Sequence, residues 1–293
     1  MKKILITGGD GFLARSIAEK LAHKYLIERC NRSVLDLNDS FAVFEFLKQG
    51  SFDVVIHTAT YDAAPKNSLK DTGLVLENNL NMFFNLARCK ELYGKMLYFG
   101  SGAEFSREYW VSQMSESYFD KYVPKDQYGF SKYVMAKYAA TTNNIFNLRL
   151  FGVFGEYDDW RYRFIPNICC HALMDMPVKV HQNARVDFLY INDLVKIVEW
   201  FIEKEQKQQI YNVCSAKESE YSLIAQKVIE VSGKNLKRLV ENSECSRQYS
   251  GNNTLLLDEM GGMEFTPMSE ALKLLYAWYD VNQELIDVKQ FHY

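Results

Sequence analysis

The chain has 293 residues, with 34 lysines and arginines against 37 aspartates and glutamates, a formal net charge of −3. That length can bury a large core, as one α/β unit or a domain plus a lobe. The slightly acidic balance, with no basic block, argues against a nucleic-acid partner.

No apolar run approaches the ~20 residues of a bilayer span. The chain goes straight into its first strand, which leaves no room for a signal peptide, so a cytoplasmic protein is expected. That strand is carried by Ile4-Leu5-Ile6, too short for a core helix and rich in β-branched residues, which reads as a buried parallel strand. Thr7-Gly8-Gly9-Asp10-Gly11 follows, and a helical pattern opens at Phe12 and Leu13. Gly8, Gly11 and Ala14 are three apart, and the last position needs only a small side chain for the helix to pack on the strand. An ordinary tight βα turn is the plainer reading of the glycines alone. The strand before them and the helix after them favour a dinucleotide, whose phosphates would sit on the helix N-terminus.

A second strand is expected at residues 25–30. About 20 residues on from the turn, an acid would suit the ribose of NAD and an arginine the 2′-phosphate of NADP. Here stand Arg29, Arg32 and Ser33, so NADP(H) is favoured, with NAD(H) possible and a solvated surface arginine as the bland alternative. After a helix at 41–48, the strand Phe52–His57 runs into Thr58-Ala59-Thr60, small residues on which a cofactor could lie; His57 itself reads as packed or hydrogen-bonded. A helix over 74–92 carries Asn78, Asn79 and Asn81, a poor helix former repeated often enough to suggest a polar task for one of them. The strand at 96–99 delivers Gly100-Ser101-Gly102-Ala103, and residues 104–127 read as an ordered aromatic loop over the site.

Tyr128-Gly-Phe-Ser-Lys132 opens a helix to about 141, and residues four apart share a helix face. A tyrosine and a lysine so placed can address one substrate atom, and the ammonium would lower the tyrosine pKa towards the range of proton transfer. A strand at 146–150, a helical run at 168–174, a strand at 186–191, a helix at 193–202 and a short strand at 210–213 follow. Helices near 221–232 and 269–280 complete the chain. The six cysteines show no metal spacing and read as reduced, mostly packed thiols, and the scattered histidines give no metal site.

In this order, TGGDGFLA, His57-Thr-Ala, Ser101 and Tyr128-Gly-Phe-Ser-Lys132 resemble the extended short-chain dehydrogenase/reductases over nearly the full length. Val186-Asp-Phe-Leu-Tyr-Ile-Asn-Asp193 and Tyr211-Asn-Val213 are similar to the nucleotide-sugar branch. Residues 30–37, CNRSVLDL, resemble the GDP-fucose synthase group, which uses NADPH.

The resemblance implies a doubly wound parallel α/β sheet of the Rossmann kind with a smaller α/β C-terminal substrate lobe. Residues 1–155 would bind the dinucleotide, with 186–213 returning to that domain, and 156–185 with 214–293 would form the lobe. It implies Tyr128 as general acid/base, Lys132 on the cofactor ribose and Ser101 on the carbonyl. Asp36 and Leu37 would contact adenine, Thr58, Ala59 and Thr60 would line the cofactor, and Asn79 would lie near the nicotinamide. A homodimer through the helices at 74–92 and 128–141 is the default expectation.

Departures from the pattern narrow the reaction. Where related 4,6-dehydratases carry an Asp-Glu pair, this chain has Gly102 and Ala103. Where fucose synthase places a cysteine and a histidine for epimerisation, it has Ala103 and Arg163. What remains implies NADPH-dependent reduction of a 4-keto-6-deoxy nucleotide sugar. The alternatives are an NAD-dependent 4-epimerase and, in another class, a non-catalytic NADP-binding sensor or scaffold. The usual diphosphate-binding arginine is Val186 here, with Arg185 one position off, so Arg185, Arg247, Arg161 and Arg163 are the candidates for that contact.

Overall fold

All three side chains of the run Ile4-Leu5-Ile6 are fully buried, so the strand they form has no polar face and needs cover on both sides. The computed structural model, which describes residues 1–62 and 70–291, shows how that cover is built. The first half comprises β1 (Lys3–Thr7), α1 (Phe12–Leu21), β2 (Leu26–Cys30), α2 (Ser40–Gly50), β3 (Phe52–His57), α3 (Val75–Ala87), β4 (Tyr93–Ser101), α4 (Gln127–Ala139) and β5 (Ile145–Leu150). Then come β6 (Gly152–Phe154), α5 (Phe164–Leu173), β7 (Val178–Gln182), β8 (Arg185–Tyr190), α6 (Ile191–Glu203) and β9 (Ile210–Val213). The chain ends with β10 (Glu218–Glu220), α7 (Tyr221–Ser232), β11 (Arg238–Asn242), β12 (Gln248–Tyr249), α8 (Thr254–Met260) and α9 (Met268–Val281).

Six strands form one parallel sheet in the order β2-β1-β3-β4-β5-β9. The period of two in each strand sorts the side chains. Ile4, Ile6, Val54, Ile56, Leu97 and Phe99 enter the core shared with α1 and α6. Leu5, Val55, Met96 and Tyr98 enter a second core with Val43 and Leu47 of α2, Phe83 of α3 and Met135 of α4. This is the doubly wound α/β sheet expected from the sequence. The chain steps outward from β1 to β2 and returns beside β1 as β3, so the crevice at the carboxyl ends of β1 and β3 is the switch point where such sheets hold ligands.

Of the stretch 186–213, only β9 joins that sheet, while α6 packs on α1. β8 pairs instead with β6, β10 and β12, and β7 with β11. The cause lies at Gly152, where the chain leaves β5 and the new strand β6 lays Gly152, Val153 and Phe154 against Phe188, Leu189 and Tyr190. A Cβ at residue 152 would lie 2.7 Å from the Asp187 carbonyl oxygen, so the close approach of β6 to β8 leaves no room for a side chain there. The loop after β4 is ordered in short turns, and Met114 is bridged to Gly251 by bonds from Met114 N–H to the Ser250 carbonyl (3.0 Å) and from Asn252 N–H to the Met114 carbonyl (2.9 Å). No helix of the described residues is long and apolar enough to cross a membrane.

Candidate active site

The glycine turn is dictated by contact. Gly8 has φ +68°, which L side chains avoid, and a Cβ there would lie 2.9 Å from Ala59 Cα. Gly11 N–H closes the turn on the Gly8 carbonyl (2.8 Å), and α1 then opens at Phe12 with no side-chain cap and no acid in its first turn. Its unpartnered N–H groups and positive dipole end fit the pyrophosphate of a dinucleotide. Phe12, Leu13, Thr58 and Thr60 line the same cleft, while Ala59 backs Gly8. A bound nicotinamide dinucleotide would supply hydride chemistry there.

At the far end of this turn the Arg29 guanidinium donates to the Gly9 carbonyl (2.8 Å). Arg32 is exposed and pairs with Asp36 at 3.2 Å. Leu37 is buried in the second core and its carbonyl accepts from Asn85, so its side chain packs inward. His57 is buried against Thr7 Oγ1 (2.9 Å), and burial holds it at about 3, neutral and structural as read from the sequence.

Asn79 is fully engaged: its side-chain oxygen accepts from Tyr61 N–H (2.7 Å) and its amide donates to the Tyr61 carbonyl (3.2 Å). Expected beside the nicotinamide, it does not line the cleft; it clasps the segment after β3 and so positions Thr60.

Ser101, Tyr128 and Lys132 meet in a cleft of about 1210 Å³. Ser101 stands at the end of β4, and Asp126 caps α4 by accepting from Gly129 N–H (2.8 Å), which starts the helix one residue before Tyr128. Ser101 and Tyr128 line the same cleft, and Ser101 pulls the Tyr128 phenol down. Lys132 lies one helical turn on, with Nζ donating to the Phe99 carbonyl (2.8 Å) and 5.7 Å from the centre of the Tyr128 ring.

The expected lowering of the tyrosine pKa is not what this arrangement gives. Burial pushes the Tyr128 phenol up, against the lowering pull of Ser101 and of the Arg163 and Arg107 guanidinium groups. Lys132, itself desolvated, is held down at about 8 and is satisfied by a carbonyl rather than by the phenol oxygen. A protonated Tyr128 is a proton donor in waiting.

Sequence reading passed over Glu104, although an acid in the run GAEF and an arginine inside the apolar strand FNLRL are a visible pair of anomalies. Glu104 and Arg149 form a completely buried ion pair at 2.6 Å. The carboxylate also accepts from Ser101 N–H (3.0 Å) and from Asn147. Glu104 is thereby turned away from the cleft and locks the turn that presents Ser101. Gly100 has no choice: a Cβ there would lie 2.1 Å from Asn147 Oδ1 and 2.3 Å from Glu104 Oε1.

On the substrate side, Ala103 lines the cleft, but Gly102 is sealed beneath Tyr249 and Phe151. Arg185 is a correction. No bulge reverses the alternation of β8, so Val186 faces the cleft while Arg185 pairs with Glu220 (2.9 Å) on the other side. Arg161 and Arg163 line the cleft but are committed to Asp159 (2.8 Å) and Asp62 (3.4 Å). Arg247 also lines it, contacts the Tyr221 hydroxyl at 3.4 Å, and has no carboxylate partner among the described residues.

The sequence pattern of the NAD dependent epimerase/dehydratase family matches residues 4–214. The chain is 25% identical over 291 residues to the GDP-6-deoxy-D-talose 4-dehydrogenase of Aggregatibacter actinomycetemcomitans, covering 94% of this chain and 97% of that one. A GDP-mannoheptose C4 reductase from Campylobacter jejuni with NADP bound shares the fold at a TM-score of 0.82 and 18% identity, over 95% of this chain and 98% of that one. The UDP-glucose 4-epimerase of Thermotoga maritima does so at 0.81 and 18% identity, over 96% and 99%. The matched stretch runs from within β1 to the end of β9, the whole parallel sheet whose strand ends carry the dinucleotide turn and the three converging side chains. The chain therefore belongs to the NAD dependent epimerase/dehydratase family, as a nicotinamide-dependent enzyme.

Proposed function

We propose that this enzyme reduces the 4-keto group of a 4-keto-6-deoxy nucleotide sugar with NADPH. The observation that carries the reading is the pairing of an intact Ser101–Tyr128–Lys132 set with a turn that has lost its acid and base. Positions 102 and 103 are Gly and Ala, and the neighbouring Glu104 carboxylate is spent on Arg149. Elimination of water lacks its proton carriers, whereas carbonyl reduction needs only a hydride and one proton.

A nicotinamide dinucleotide held at the Gly8–Gly11 turn and the N-terminus of α1 would supply the hydride that this reduction needs. Ser101 holds the carbonyl oxygen, and Tyr128 gives that oxygen its phenolic proton as the electron pair of the C=O bond moves onto it. The raised pKa of Tyr128 keeps the proton in place until the alkoxide develops, and the Lys132 ammonium offsets the phenolate left behind. Arg247 is the cleft cation best placed to take the substrate diphosphate. The preference for NADPH rests on Arg29 and Arg32 after β2, and a homodimer through α3 and α4 remains part of the proposal.

The test offers GDP-, dTDP-, CDP- and UDP-4-keto-6-deoxyhexoses with NADPH and identifies products by mass spectrometry. A product two hydrogens heavier with matching NADPH oxidation is expected. An isomerised product without net NADPH consumption would make it a 4-epimerase, and tight NADPH binding with no turnover on any of them would make it a sensor. Tyr128→Phe should abolish turnover while cofactor binding persists. Arg32→Ala should raise the KM for NADPH relative to NADH, and an unchanged ratio removes the case for NADP.

A further inference from the structure

A row of register partners crosses the parallel sheet near its carboxyl edge: Gly100 of β4, Arg149 of β5 and Asn212 of β9. Arg149 and Asn212 are both fully buried, where each polar group needs a partner. Arg149 serves the Ser101 turn through Glu104, but the reaction as described gives Asn212 nothing to do.

The Asn212 side-chain amide offers one acceptor oxygen and two N–H donors. Its Oδ1 accepts from Arg149 Nη1 at 3.2 Å. Its Nδ2 donates to the Met114 carbonyl at 2.8 Å and to the Asn252 carbonyl at 3.0 Å. The order cannot be reversed, because a flipped amide would set its oxygen against two carbonyls and its N–H groups against a guanidinium. An ionised aspartate has no donor for the carbonyls, and a leucine has no acceptor for the guanidinium. Asparagine serves both sides at once.

The two carbonyls belong to segments that reach the cleft. Met114 follows Arg107 and Trp110, and Asn252 follows Arg247 and Tyr249, all four of which line it. On the other side Arg149 Nε donates to Glu104 Oε2 (2.6 Å), and Glu104 Oε1 accepts from Ser101 N–H (3.0 Å). One amide therefore stands between the turn that presents Ser101 and the segments that face the rest of the substrate.

We propose that Asn212 is a positioning residue of the reduction: its amide fixes the segment bearing Arg247 relative to Ser101, so that the diphosphate and the sugar carbonyl are held at one spacing. This rests on the reductase reading. Asn212→Asp separates the two sides of the amide. It keeps the size of the side chain and an acceptor for Arg149, whose Nη2 has no partner among the described residues and favours the ionised carboxyl. Both donors to the roof carbonyls are lost. Asn212→Ala removes both sides.

The experiment uses a keto sugar nucleotide that the wild type reduces. Asn212→Asp should raise its KM about fivefold to tenfold, with kcat and NADPH affinity within about twofold, and Asn212→Ala should lower kcat as well. Arg247→Ala, expected to cost about tenfold in KM on the wild type, should cost no more than about twofold on Asn212→Asp, because that arginine is then already misplaced. A purely structural Asn212 would lower Tm and leave both KM and this coupling alone. An unchanged KM, or an Arg247→Ala loss as large on Asn212→Asp as on the wild type, or no such loss on either, would each overturn the proposal. Should Asn212→Asp fail to fold, Asn212→Ala carries the same cycle. Calorimetric affinities for GDP, dTDP, CDP and UDP read the Arg247 coupling without turnover. They still decide the role of Asn212 if no keto sugar is reduced and the reductase reading fails.

Discussion

Removing Glu104 while leaving Arg149 in place should unfold this protein more readily than almost any other single substitution. Both side chains are fully inaccessible, and the carboxylate is the only one paired with this guanidinium among the described residues. Truncation to Ala leaves a buried cation uncompensated, which costs about 3–5 kcal/mol, a large share of a typical stability of ~5–15 kcal/mol. At ~2 °C per kcal/mol for a chain of this size, Tm should drop roughly 6–10 °C.

Glu104→Leu with Arg149→Leu removes both charges together and leaves no lone ion, so it should lose less than either single variant. The Arg149 guanidinium also lies over the Phe105 and Phe119 rings (4.4 and 4.9 Å), a packing contact leucine keeps in part. Urea unfolding at constant m-value measures all of these. A loss below about 1 kcal/mol for Glu104→Ala, or a double variant as weak as the sum of the singles, would refute the reasoning.

Other outcomes follow from geometry already described. Gly8→Ala forces a side chain at φ +68° into Ala59, so NADPH affinity should fall by at least about tenfold in a fluorescence titration, with the parallel sheet intact by circular dichroism. Arg247→Ala should raise the KM for the nucleotide sugar about tenfold or more, while Arg185→Ala, paired to Glu220 away from the cleft, should leave it unchanged. Lys132 is held at about 8 by burial, so its charge is present below that pH and lost above it. NADPH affinity should therefore weaken as pH rises through 8, and Lys132→Met should abolish the dependence. Apoprotein stability should move the other way: between about 8 and ~10.4 the unfolded chain still binds the proton the folded chain has released, so stability rises across that window.

The main sheet was legible because its strands carry short apolar runs, such as Ile4-Leu5-Ile6 and Val54-Val55-Ile56, and alternate with helices, a pattern with few alternatives. Ser101, Tyr128 and Lys132 were legible because each follows a strand end or a helix cap at fixed spacing. β6, β7 and β10 to β12 were not, since runs of two to five residues carry too little alternation to register. Helix α3 stops at Ala87 rather than 92, and α5 begins at Phe164, ahead of the apolar run at Ile168, with Pro166 tolerated in its first turn. The roles of Glu104 and Asn79 depend on partners 45 and 18 positions away, a separation no local pattern reports.

The bridge between Met114 and Gly251 carries a mechanical consequence. Besides its two backbone bonds, Gln113 N–H donates to Ser250 Oγ (2.7 Å) and the Asn212 amide to the Met114 carbonyl (2.8 Å). The aromatic loop and the segment bearing Arg247 and Tyr249 are thus riveted into one panel, anchored to the last strand of the parallel sheet. Motion that admits a sugar cannot be a flap of the loop alone. It must swing both segments together or shear at least three backbone-anchored bonds, so the roof of this cleft opens as a door rather than as a curtain.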